Sequence, residues 1–247
     1  MCGYVPGLTG PSTSADEAGP VWPIELFSQA PAERVLHEQQ LGGEVLLAID
    51  TALGSSVALG YSDQIFEVSS DDTRGHAEVV GDLLLRVFEL SGAQPAEVTR
   101  VVSGIGPGPF TGLRIGMSAA RAFAAAREVP VLAVQSHEAV AQAVLQQHAA
   151  TGFRVVQDAK RRELFVTEFA GINLNGQPVR AVDARLEQRA TFEQQVTDVW
   201  PVRIPAARLV QLAVRRLGLG QAFEDDQALY LRAPDVKPTA AVKRVST

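Results

Sequence analysis

A short strand, a terminal aspartate, a turn and a returning strand occur twice in this chain. No other feature limits its folds as much. The first copy is Val45-Leu46-Leu47-Ala48-Ile49, ending in Asp50, with a turn over Thr51 to Ser55 and a return over Ser56 to Tyr61. The second is Phe153-Arg154-Val155-Val156-Gln157, ending in Asp158, with the turn Ala159 to Arg162 and a return over Glu163 to Phe169. The unbroken apolar run at 45–49 reads as a buried strand, and 153–157 reads as a second strand. Further strands are expected at 65–69, 101–105, 130–134 and 179–184, and helices at 76–91, 112–127, 136–149 and 205–217. Strands alternating with helices in two similar halves imply an α/β protein of two related lobes.

The expected division is an extension over 1–43, a first lobe over 44–150, and a second, shortened lobe with a basic tail over 151–247. Residues 1–43 are rich in Gly, Pro, Ser and acids and lack sustained periodicity. Such a segment is expected to stay disordered, apart from a short helix over Ala32 to Gln40.

Between the strand at 101–105 and the helix at 112–127 lies Gly106-Pro107-Gly108-Pro109-Phe110-Thr111-Gly112-Leu113-Arg114-Ile115-Gly116. A strand, a Gly/Pro turn and a helix present free N–H groups at the helix start, which suits an anion. Two phosphate fingerprints fail here. A P-loop needs Lys and then Ser or Thr after its last glycine, but Gly112 precedes Leu113 and Arg114. The dinucleotide pattern needs glycine where Thr111 stands. A helix N-terminus alone gives an anion about 0.3–1 kcal/mol, whereas millimolar binding needs about 4 kcal/mol. The favoured reading is packing: Gly112 and Gly116, continued by Ala119, Ala120 and Ala124, form a smooth strip for a second helix. Phosphate contact and plain turn geometry remain as alternatives.

Net charge is −6, so strong nucleic-acid binding by the chain itself is not expected, since phosphate backbones reward clustered Lys and Arg. The cluster Lys160-Arg161-Arg162 and the tail with Arg232, Lys237, Lys243 and Arg244 are local exceptions. One cysteine, Cys2, rules out an internal disulfide and fits a reducing compartment. With no secretion signal and no apolar run long enough for a bilayer, a cytoplasmic protein without membrane contact is expected.

Several of these residues carry a resemblance to the TsaB (YeaZ) family. They are Ala48-Ile49-Asp50-Thr51, His76-Ala77-Glu78, the Gly106–Gly116 loop, Asp158-Ala159-Lys160-Arg161-Arg162-Glu163 and Leu229-Tyr230-Leu231-Arg232. The similarity covers residues 44–247. It implies the two-lobed fold of actin, sugar kinases and the Hsp70 ATPase (the ASKHA fold), and a role in forming threonylcarbamoyladenosine beside the tRNA anticodon. It also implies a non-catalytic subunit that heterodimerises with the TsaD-type catalytic subunit, is joined by the ATPase TsaE, and meets tRNA only indirectly. Without its partner, such a chain would form a homodimer through the same helices. The implied contact is a helix bundle of the first two helices, and His76, Val80, Leu83, Thr111, Gly112, Arg114, Ile115, Gly116 and Ala119 are its candidate residues. One departure is the stretch from Gln195 to Pro205, where a further strand and a glycine turn are expected but no glycine occurs.

The rival reading is an active ATPase or phosphotransferase of the same superfamily. Carboxylates at strand ends, here Asp50 and Asp158, suit a Mg²⁺-phosphate group, and Ser55 and Gly108 would border it. Such carboxylates are also common turn residues, and the turn after Asp158 lacks a glycine. The TsaD-type subunit holds a metal through two histidines four apart on one helix; here the residue four after His76 is Val80. His37, His137 and His148 have no ligand spacing either, so neither metal, cofactor nor metallopeptidase chemistry is expected.

Overall fold

Leu46, Leu47, Ala48 and Ile49 are all fully buried, Leu46 and Ala48 in one apolar cluster and Leu47 and Ile49 in another. Successive strand side chains point to opposite faces, so this run is covered on both sides. The computed structural model describes residues 32–37, 39–70, 76–147 and 151–232, with the backbone alone at 32, 76 and 77.

The first sheet contains β1 (Ala32–Leu36), β2 (Leu46–Asp50), β3 (Ser55–Tyr61), β4 (Gln64–Ser70), β5 (Arg100–Gly104) and β6 (Val131–Val134) in the order β1-β4-β3-β2-β5-β6. Strands β2, β3 and β4 form an antiparallel meander, with β5 and β6 parallel beyond β2. The second sheet contains β7 (Phe153–Asp158), β8 (Glu163–Ile172), β9 (Pro178–Gln188) and β10 (Asp198–Val199) in the order β10-β7-β8-β9. It repeats the plan: an antiparallel meander with one parallel strand beyond the first. The chain is therefore a mixed α/β protein with the two-lobed ASKHA architecture.

Helices α1 (His76–Ser91) and α2 (Phe110–Arg127) pack on one face of the first sheet. Helices α3 (Ser136–Gln147) and α4 (Ala206–Gly218) pack together between the two sheets. The division expected at 150/151 describes chain order, but the packing crosses it. Helix α3 lies against β7, β8 and β9, and α4 lies against β2, β3 and β4.

Two expectations are corrected. Residues 32–36 form strand β1, not a helix, so part of the 1–43 extension belongs to the first sheet. A helix of nine residues is marginal alone, whereas the edge of β4 offers backbone partners and the Arg34–Glu67 ion pair. The missing strand after Gln195 exists as the two residues of β10. Residues 1–31, Cys2 among them, lie outside the described residues, as do His148, Lys237, Lys243 and Arg244.

Strand β4 also fastens α4. The N-cap of α4 is Pro205, with no side-chain cap, and the Glu67 carboxylate accepts the Ala207 N–H at 3.1 Å instead. Glu67 is 3% exposed and also holds Arg34. Ser56 Oγ donates to Ile204 O at 2.6 Å, and Arg203 donates to Ser69 Oγ. Glu67→Ala strips the buried Ala207 amide of its acceptor and removes the Arg34 ion pair, and should lower stability by about 1–3 kcal/mol. Denaturant unfolding checks this: an unchanged midpoint would mean that α4 is held by apolar packing alone.

Candidate docking groove and the closed cleft

The glycine strip faces inward. Thr51, in the turn after β2, donates its hydroxyl to Gly112 O at 2.6 Å and accepts from Gly116 N at 3.0 Å. A Cβ at Gly116 would stand 2.2 Å from Thr51 Oγ1, and one at Gly112 would stand 2.6 Å from Thr51 O. Gly112 and Gly116 are thus the seat of the β2–β3 turn, and the strip does not await a second helix. Glycines four apart allow close approach, but periodicity does not say by what.

The opposite face of α2 is open. Thr111, Arg114, Ile115, Ser118, Ala119 and Ala122, with Phe110 and Val80, line a groove of about 630 Å³. Val80 of α1 is 2% exposed and packs in the cluster beneath. The Arg114 guanidinium lies 3.9 Å from the Phe110 ring centre, and its Nε donates to Tyr230 O–H at 3.0 Å. The Phe110 and Tyr230 ring centres are 4.9 Å apart. Tyr230 arrives there because the C-terminal segment is tied along α2. Leu229 N donates to Ile105 O at 2.9 Å, and Arg121 pairs with Asp226 at 2.7 Å.

The structure thus collects Val80, Thr111, Arg114, Ile115 and Ala119 at one groove. Leu83 is half-buried in the cluster above the first sheet and does not line it. The His76 side chain lies outside the described residues. Sequence reasoning passed over Phe110, Ser118, Ala122 and Tyr230 as groove residues. The spacing 110, 114, 118, 122 beside 111, 115, 119 carries the signal for the first three.

The candidate nucleotide residues are not assembled into a cleft. Asp50 is 1% exposed; its Oδ1 accepts from Ala52 N at 2.8 Å and its Oδ2 from Ser136 Oγ at 2.5 Å. Ser136 Oγ in turn accepts from Gly106 N at 3.0 Å. Gly104 makes room for this carboxylate, since a Cβ there would fall 1.8 Å from Oδ2. Gly108 packs on Ala52, and Ser55 is buried. Asp158 sits apart on a half-exposed turn, paired with Arg189 at 3.1 Å and Lys160 at 3.5 Å. Burial pushes the Asp158 carboxyl up, but the Lys160 amide and the Arg189 guanidinium outweigh this and hold it below the usual range. Between β2 and β7 the space is taken by the chain's own polar groups. Gln157 Nε2 donates to Ala52 O at 2.8 Å, and His137 contacts Gln157 at 3.2 Å and Thr167 at 2.7 Å.

Burial raises the Asp50 carboxyl to about 6, against the opposing Ser136 and Ala52 hydrogen bonds. Burial likewise lowers His137 to about 4, partly offset by Gln157. The two act with opposite sign. Native Asp50 binds more protons than unfolded chain above pH 4, so its contribution to stability falls as pH rises to about 6. His137 contributes stability that is lost as pH falls through the same range. Asp50→Asn isolates the first effect. The wild-type minus variant stability should decline by about 2–3 kcal/mol between about pH 4 and pH 7. A difference that is flat with pH would show that ionised Asp50 is not penalised by its surroundings.

Comparison with known proteins places the fold. A family model described as TsaD, tRNA N6-adenosine threonylcarbamoyltransferase, matches residues 68–191. An uncharacterized protein of Mycobacterium tuberculosis is 33% identical over 215 residues, covering 79% of this chain and 95% of that one. The tRNA threonylcarbamoyladenosine biosynthesis protein TsaB of Escherichia coli is 31% identical over 128 residues, 50% of this chain and 54% of TsaB. A crystal structure from Pseudomonas aeruginosa, described as similar to peptidase YEAZ, superposes with a TM-score of 0.68 at 22% identity. It covers 76% of this chain and all of the other. No helix among the described residues is long and apolar enough to cross a membrane. With a family model over half of the chain and relatives named TsaB at about 30% identity, the chain belongs to the TsaB (YeaZ) family.

Proposed function

We propose that this chain is a non-catalytic subunit in the biosynthesis of tRNA threonylcarbamoyladenosine, docking a TsaD-type catalytic subunit through the α1–α2 groove. The observation that carries this reading is the groove itself. It is an exposed, mainly apolar trough on two adjacent helices, floored by Val80 and edged by Phe110, Tyr230 and Arg114. Surfaces of this kind on otherwise polar proteins mark protein–protein contacts. Helices pack by ridges and grooves, and a row of small residues such as Ser118, Ala119 and Ala122 lets a partner helix approach closely. The filled space around Asp50 supports the non-catalytic part, because no opening reaches its carboxylate. The names of the matched TsaB proteins and the TsaD family model support the pathway. In this reading a TsaE-type ATPase joins the pair, tRNA is met through the assembly, and the chain works in the cytoplasm.

Size-exclusion chromatography with light scattering on this chain mixed with the TsaD-type subunit of its own organism tests the reading. A one-to-one complex is expected, and a homodimer of the isolated chain should dissolve as partner is added. Separate elution at micromolar concentration would reject the docking role.

A further inference from the structure

A second concavity, sharing no lining residue with the groove, lies where the last turn of α4 meets the β8–β9 hairpin and the segment before β2. It measures about 550 Å³ and is lined by Gln39, Leu41, Asn175, Gln211, Val214 and Arg215, among others. That volume lies within the range usual for small-molecule sites. Its lining contains amides, aliphatic side chains and one guanidinium, but no carboxylate.

Arg215 is the informative residue. Its Nη1 donates to Gly176 O in the hairpin tip. The Gln142 amide, turned so that its oxygen faces donors, accepts from the same nitrogen at 2.7 Å. These two contacts fix the guanidinium plane. They leave Nε and Nη2 without a hydrogen bond to any described residue, and no described carboxylate pairs with Arg215. Burial, with the charge of Arg208 nearby, holds its pKa below the usual guanidinium value. A cation in the last turn of a helix often only complements the helix dipole from solvent. Arg215 instead is half-buried and pinned inward by a carbonyl of another element, so its free edge is fixed in place. Two donors on a planar fork match an oxyanion in bidentate fashion.

We propose that this pocket binds a small oxyanion, a carboxylate or phosphate, through Arg215 Nε and Nη2, with the ligand's body against the amides of Gln39 and Asn175 and the side chains of Leu41 and Val214. The site is separate from the groove and does not depend on the docking role.

The test titrates the full chain with sodium phosphate, sodium acetate and sodium chloride at matched ionic strength. The readouts are the thermal midpoint and the ¹⁵N-resolved Nε–H resonance of Arg215. Phosphate, acetate or both should raise the midpoint in a saturable manner and shift that resonance, while chloride should do neither. A response to phosphate alone assigns a phosphate head group, and a response to acetate assigns a carboxylate. Arg215→Met keeps the aliphatic stem and should weaken binding by about tenfold or more. No response to either anion, or equal binding by Arg215→Met, would overturn the proposal. If that variant does not fold, the wild-type resonance titration decides.

Discussion

Gly116→Leu is expected to unfold the isolated chain or bring it close to unfolding, with no partner present. The added Cβ would stand 2.2 Å from Thr51 Oγ1 and 3.2 Å from both Thr51 Cβ and Cγ2. Separating α2 from the β2–β3 turn also breaks the Gly116 N to Thr51 Oγ1 bond and strains the bond from Thr51 to Gly112 O. Overpacking costs about 1–3 kcal/mol, and a buried donor left without its acceptor costs about 1–3 kcal/mol more. Together these are a large share of the roughly 5–15 kcal/mol that holds a native domain. Denaturant unfolding of Gly116→Ala, with and without Thr51→Ala, provides a milder version. Thr51→Ala removes the atoms that clash, so the pair should be less destabilised than the sum of the two singles. Strict additivity would show that the two positions do not press on each other. A loss of partner binding in Gly116→Leu would therefore report unfolding and not a lost contact.

Charge placed on the outer face of α2 should do the opposite: preserve the fold and remove docking. Ala122 is exposed and Ala119 half-exposed, both line the groove, and glutamate is a good helix former. Ala119→Glu and Ala122→Glu should each leave the unfolding midpoint within about 0.5 kcal/mol of wild type. An unpaired carboxylate desolvated at an apolar contact costs several kcal/mol, so the one-to-one complex should weaken by about a hundredfold or more. Titration calorimetry with the TsaD-type subunit measures this directly. Unchanged affinity in both variants would move the contact away from the groove. Arg114→Ala is the finer probe, because it removes the stacking on Phe110 and the hydrogen bond to Tyr230 without adding charge.

Most of the fold can be read along the chain because its signals are local. The apolar run at 45–49, the alternation of strands and helices, and the apolar spacing of 76–91 each depend on neighbours a few residues apart. Strand β1 is different: Ala32 to Leu36 has no strong preference, and what makes it a strand is the free edge of β4. The crossing of α3 and α4 onto each other's sheets is also invisible in sequence, since both helices present apolar faces that either sheet would accept.

The candidate site divides in the same way. Sequence alone determined that α2 begins at a glycine loop, that small residues recur along it, and that Asp50 and Asp158 close equivalent strands. Only the tertiary structure decided which face of α2 is taken. Thr51 occupies the glycine side through contacts spanning more than sixty positions, which leaves Thr111, Arg114, Ile115 and Ala119 outward. It likewise decided that Asp50 is shut in by Ser136 and Gly104 while Asp158 stays at the surface. The physical reason is that periodicity specifies a surface pattern along one element, whereas burial depends on which distant segment the closed chain brings against it.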